Sequence, residues 1–207
     1  AFVIWDQDEC LNLVKRSITS MGLQDKLYAP RRVLSLLSMQ KNGRAWSEAD
    51  VRDYRLEVLN ELAGRYGAGL RAANAVDFDD LLAFTARLLE ESDVLDRDAG
   101  LVFRYILVDE YQDTNRLQYR IVRALASVHK NITVVGDEDQ SIYSWRGADI
   151  RNILEFERDF PGAAILRLEE NYRSTQAILD AASGLVARNE SRIGKTLRAM
   201  RAGGQRV

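Results

Sequence analysis

Three short apolar runs, at residues 105–108, 132–135 and 164–168, each end in polar residues and each lead into a segment with helical periodicity. Alternation of this kind limits the fold more than any other feature of the chain. Strands separated by helices must be joined by crossovers, which predicts a parallel sheet with right-handed connections and helices on its faces. In such sheets ligands sit beyond the carboxyl ends of the strands, so the residues just past each run are the first candidates for function.

Upstream of these runs the pattern is helical, with apolar positions recurring at three and four spacing. Asp6 followed by Glu9 predicts a capping box for a helix ending near Gly22, and Pro30 suits the first turn of the next helix. Ser47 and Asp77 are further candidate caps. A helix is expected over 51–70 even though Gly64, Gly67 and Gly69 each weaken it by about 1 kcal/mol relative to alanine. The architecture is therefore expected to change near residue 100, from a mainly helical subdomain over 1–100 to an α/β domain over 101–207.

With 207 residues and 46% hydrophobic content, the chain can bury a real core, which argues against disorder. The single cysteine, Cys10, and single histidine, His129, argue against a disulfide framework and against a cysteine and histidine zinc site. A reducing, cytoplasmic setting is expected. No apolar run approaches the roughly 18 residues of a membrane span, so a soluble protein without a membrane partner is expected. A net charge of −2 supplies no global signal for nucleic acid. The cluster Arg188, Arg192, Lys195, Arg198, Arg201 and Arg206 reads as a solvated helix face, with a binding patch as the alternative.

The chemistry concentrates at the three strand ends. Asp109 and Glu110 would be costly neighbours if buried and unpaired, and become sensible if a divalent cation and a phosphate share the space. Asp109 could then hold magnesium, and Glu110 could act as general base on the attacking water. A solvated turn is the alternative reading of that pair. Past the second run, Gln140 could bond to a water or a γ-phosphate oxygen. Tyr143, Trp145 and Arg146 offer planar groups for unstacked bases, worth roughly 1 to 3 kcal/mol per base, although aromatic residues at that spacing also suit a core. Past the third run, Arg173 could place positive charge on a transferring phosphoryl group. Tyr172 could stack on adenine or, alternatively, cap the sheet as a buried side chain. The helix that follows is expected to be capped by Ser174 or Asn171.

The strings LVDEYQDTN, VVGDEDQSIYSWRGAD and LEENYRST, in this order, resemble the UvrD, PcrA and Rep group of superfamily 1 helicases, and DFDDLL at 77–82 resembles a further family segment. The resemblance implies a RecA-like motor domain, preceded here by its helical insertion. It implies that Asp109 binds Mg2+, Glu110 activates water, Gln140 senses the γ-phosphate and Arg173 stabilises the transferring phosphate. Tyr172 would stack on the adenine of ATP, while Tyr143, Trp145 and Arg146 would line a track for single-stranded DNA ahead of duplex DNA, with 3′ to 5′ stepping. The family's glycine-rich phosphate loop is expected upstream of Ala1. Gly194, Lys195 and Thr196 spell the end of that loop, but Asn189 stands where an earlier glycine is required and no apolar strand precedes them. A second RecA-like domain is also expected outside the chain, so the chain alone is not expected to hydrolyse ATP. Two alternatives are a catalytically inactive DNA-binding or regulatory module, against which Glu110, Gln140 and Arg173 speak, and the motor part of a helicase and nuclease fusion.

Overall fold

The computed structural model describes residues 1–91, 102–144, 147–189, 192 and 194–203. It is a mixed α/β structure, mostly helical, with small parallel pairings of short strands. The described residues fall into two compact units. One takes in Ala1–Ile106 and Asn115–Ile132; the other takes in Leu107–Thr114 and the chain from Thr133 on.

The first unit is built on helices whose starts are marked locally. Helix α1 (Gln7–Ser20) begins with the expected capping box, in which Asp6 accepts from the amides of Asp8 and Glu9 while Glu9 accepts from the Asp6 amide. Helix α2 (Pro30–Lys41) has its proline in the first turn. Ser47 caps the short helix α3 (Glu48–Val51), and the chain then breaks before helix α4 (Leu56–Ala72). The single helix expected over 51–70 is thus two, because Arg55 is extended and the Tyr54 amide closes a turn onto Val51. Gly69 sits inside α4 because a Cβ there would lie 2.6 Å from the Leu13 side chain. Cys10, Val14 and Ile18 of α1, Val33 and Leu36 of α2, and Leu59, Leu62 and Tyr66 of α4 form the core. Their three and four spacing turns one stripe of each helix inward.

Two strands occur where only helices were expected: β1 (Val3–Ile4) pairs in parallel with β2 (Ala75–Val76). Helix α5 (Phe78–Glu91) follows β2, and Asp77 caps it, accepting from the Asp80 amide at 2.8 Å. Asp77 also anchors a buried ionic cluster. Lys41 donates to Asp77 and to Asp80, each at 2.7 Å, its ammonium lies 5.0 Å from the centre of the Tyr66 ring, and Tyr66 donates to Asp77 at 2.8 Å. Burial raises the Asp77 pKa, but the hydrogen bond from Lys41 and the Asp80 backbone outweigh it and hold the carboxyl below its usual range. Burial also drives the Tyr66 phenol and the Cys10 thiol upward. Beside this cluster Asn42 donates to Asp79 at 2.7 Å and accepts from Asn115 at 3.0 Å. Asn115 caps helix α6 (Arg116–Leu125), so the DFDD segment helps to anchor the helix that directly follows the DEYQDT string.

Strands β3 (Ile106–Val108) and β4 (Ile132–Val134) pair as expected from the first two apolar runs. The Ile106 amide donates to Asn131 and the Val135 amide to Val108, a rising order that makes the pair parallel. The third run is not a strand. Leu166 and Leu168 are 85% and 80% exposed, and among the described residues pairing begins only at β5 (Glu170–Asn171), which joins β6 (Arg198–Ala199). The strands therefore form three separate pairs among the described residues and not one continuous sheet. In the second unit Tyr111 is fully buried against Phe156 of the short helix Phe156–Asp159, with ring centroids 5.7 Å apart and edge to face. Among the described residues no helix is long and apolar enough to cross a membrane.

Lys41→Met should destabilise the protein by about 3 kcal/mol at neutral pH, because it strands two carboxylates with little access to water. Asp77 titrates below its ordinary value when folded, so its stabilising effect is full above 3.8 and fades as pH falls through the folded value. Denaturant titrations of the variant and the parent should therefore converge below that pH; a gap that stays constant from neutral to acid would contradict the assignment.

Candidate nucleotide-hydrolysis site

The carboxyl end of β3 turns sharply at Glu110, whose backbone is left-handed at φ 51 and ψ 41. For a residue with a side chain this costs about 1 to 2 kcal/mol, so neighbours must hold it in place. Three hydrogen bonds do so. Asp109 Oδ1 accepts from the Glu110 amide at 2.9 Å, the Glu110 carbonyl accepts from the Asp113 amide at 2.9 Å, and Glu110 Oε2 accepts from Gln112 Nε2 at 2.7 Å. Tyr111–Asp113 form a 3-10 turn packed inward, which leaves Asp109 and Glu110 exposed while Gln112 is 1% exposed.

Gln112 carries the link to the next strand end. Its Oε1 accepts from the Asp137 amide at 3.0 Å, and its carbonyl accepts from the Ser141 hydroxyl at 3.3 Å. Removing such an amide would leave a buried donor unsatisfied, at a cost of about 1 to 3 kcal/mol. Asp137 in turn accepts from Gln140 Nε2 at 2.6 Å. Glu110 and Gln140, singled out on separate runs, are thus joined through Gln112 and Asp137 in one hydrogen-bonded chain. Burial pushes the Asp137 pKa up, but hydrogen bonds from Lys195 and Gln140 more than offset this and hold the carboxyl below its usual range.

Arg173 lies on a third element. The Asn171 side chain does not start a helix; it accepts from the amides of Arg173 at 3.0 Å and Ser174 at 2.7 Å, closing a turn. Helix α7 (Gln176–Val186) begins after Thr175 without a side-chain cap, so neither Ser174 nor Asn171 is its N-cap. Tyr172 is 71% exposed and donates to Glu170, which excludes the buried, sheet-capping reading of this residue. Tyr143 is 38% exposed. Trp145 and Arg146 lie outside the described residues, as does Arg206.

Several residues in this unit had no role assigned from sequence. Arg192 pairs with Asp139 at 2.8 Å, Lys195 pairs with Asp137, and the Gly194 amide donates to Glu138. A few residues on, the Thr196 amide bonds the Glu169 side chain, and those of Arg198 and Met200 bond the Glu169 and Asn171 carbonyls. The segment around Lys195 therefore straps the Gln140 loop to the Arg173 turn. Its described residues 192 and 194–197 are not helical, and Arg192 and Lys195 are held by carboxylate partners, unlike the solvated helix face expected of the basic cluster. The signal missed was the acid-rich GDED loop, which needs cations nearby.

Asp109 and Glu110 suit a hard cation such as Mg2+, which is commonly held by one or two carboxylates together with substrate phosphates. Asp109 spends one oxygen on the Glu110 amide and keeps its carboxylate exposed to solvent, so the donor set fits. No group of three or more His, Cys, Asp or Glu that could form an all-protein cage is present among the described residues.

Residues 1–161 match the UvrD/REP helicase N-terminal domain. Over its whole length the chain is 43% identical to a probable DNA helicase II homolog of Rickettsia conorii, covering 32% of that protein. It is 45% identical over 95% of its length to the ATP-dependent DNA helicase PcrA of Leuconostoc citreum, covering 27% of it. The PcrA of Staphylococcus aureus is 39% identical over the whole chain, which covers 29% of that relative. The chain thus spans about a third of the length of these relatives. On this match, the chain belongs to the UvrD/REP helicase N-terminal domain family.

Proposed function

We propose that this chain is part of an ATP-driven DNA helicase motor, with a helical insertion over 1–100 and part of a RecA-like domain over 101–207. The observation that carries the reading is the continuous chain from Glu110 through Gln112 and Asp137 to Gln140, which joins two strand ends inside the family match. In this reading Glu110 takes a proton from water as its oxygen attacks the γ-phosphorus of ATP, and the bond to the β–γ bridging oxygen breaks to leave ADP and phosphate. Gln140 donates to a γ-phosphate oxygen. Arg173 offsets charge on the transferring phosphoryl group, an effect worth about 10³ to 10⁵ in rate in other nucleotidases. Asp109 holds Mg2+, which when bound neutralises phosphate charge.

Tyr172, exposed beside the Arg173 turn, presents its ring for stacking on adenine. Tyr143, Trp145 and Arg146 lie three to six residues after Gln140 and supply stacking surfaces for bases of single-stranded DNA. That adjacency couples nucleotide state to grip on the strand, and repeated cycles move the motor 3′ to 5′ and open the duplex ahead.

In the complete gene product, Glu110→Gln should abolish ATP turnover while fluorescent-nucleotide affinity stays within about twofold, since the amide keeps size and loses only the basic oxygen. Undiminished turnover would remove Glu110 from the role of base. Trp145→Ala should weaken binding to single-stranded DNA about tenfold or more, in line with the loss of one stacked base. Unwinding and DNA-stimulated turnover equal to the parent's would count against the track.

A further inference from the structure

We propose that Gln112 is a positioning residue for hydrolysis, holding the Glu110 carboxylate and the Gln140 loop in one setting through the two ends of its amide. The inference rests on the reading of Glu110 as base. Gln112 is almost wholly buried, so its side chain acts through other residues and does not meet solvent or substrate itself. Its Nε2 faces two carboxylates, Glu110 at 2.7 Å and Asp113 at 3.4 Å, and its Oε1 faces the Asp137 amide at 3.0 Å. Ionised carboxylates only accept and a backbone amide only donates, so the site demands a donor on one side and an acceptor on the other. Glutamine meets both demands. Glutamate at the same length offers acceptors alone.

The opposing wall is shaped to this amide. A Cβ at Gly136 would lie 2.6 Å from Gln112 Oε1, 2.8 Å from Ile153 Cδ1 and 3.3 Å from the Gln112 backbone nitrogen, so the strand-end glycine leaves the space that the glutamine fills beside Ile153. The side chain thus ties the left-handed turn at Glu110 to the start of the loop that carries Gln140. A base held loosely by about 1 Å can lose a hundredfold in rate without any change in what binds.

The test is Gln112→Glu in the complete gene product, which keeps length and the acceptor for Asp137 but turns the donor toward Glu110 into a second carboxylate. Turnover should fall about 10²-fold while nucleotide affinity stays at the parent's value; the added buried carboxyl lowers the melting temperature but leaves a cooperative transition. Placed on Glu110→Gln, the same change should cause no further loss in the residual hydrolysis measured for that variant in single-turnover reactions with enzyme in excess, because Gln112 acts through Glu110. Parent-level turnover in Gln112→Glu, or an equal fold-loss in both backgrounds, would overturn the proposal. Undiminished turnover in Glu110→Gln would instead overturn the base assignment beneath it. Should Gln112→Glu lack a melting transition, Gly136→Ala in an Ile153→Val background serves in its place: with the Ile153 Cδ1 removed, the added Cβ meets Oε1 while the amide chemistry stays intact, and the same hundredfold loss relative to Ile153→Val is expected. Full turnover in that variant sinks the proposal.

Discussion

The second unit depends on one buried amide. Gln112 is the point at which the turn after β3 and the loop after β4 are tied together, its Nε2 bonded to the Glu110 carboxylate and its Oε1 to the Asp137 amide. A buried hydrogen bond contributes modestly when made, but a broken one leaves a donor without water or partner, and that asymmetry gives the arrangement its rigidity. The left-handed backbone at Glu110 persists because this network over-determines it. The candidate base therefore stands on a strained residue held by its own neighbours, which suits a group that must not wander.

The first unit uses a different device. Lys41 lies between Asp77 and Asp80, against the face of Tyr66, where two carboxylates and one ammonium are largely removed from water. Such a cluster is worth less than its Coulomb attraction suggests, because desolvation opposes it, and its clearer effect is to punish any alternative register of α2 on α5. Asp79 shows the cost: burial raises its pKa, and hydrogen bonds from Ser38 and Asn42 only partly oppose that. The chain from Asp79 through Asn42 to Asn115 extends the order of this cluster to the start of α6. A DFDDLL segment whose Asp77 reads as a helix cap in sequence is thus also an internal fastening.

Local physics was legible. The capping box at Asp6 and Glu9, the cap at Ser47 and the proline that opens α2 each depend on residues three or four apart, and each appears as the pattern requires. The apolar runs at β3 and β4 were also legible, since each supplies its own β-forming residues and finds the other as partner. The third run failed for a non-local reason: residues 164–168 have the composition of a strand but, among the described residues, no strand beside them, and composition cannot supply backbone partners. The break before α4 was likewise invisible, because the apolar periodicity runs on across it.

What the sequence determined by itself is the set of chemical groups and their local settings: carboxylates immediately after a short apolar run, a glutamine after the next, an arginine in a turn, and helices with marked starts. What only the tertiary structure decided is which of these groups share hydrogen bonds. The amide of Gln112 reaches Asp137 across 25 residues, Lys41 reaches Asp77 across 36, and Lys195 reaches Asp137 across 58. Contacts over such separations leave no periodicity or cap for a sequence to display. They arise only when packing brings a donor and an acceptor into a space that water has left.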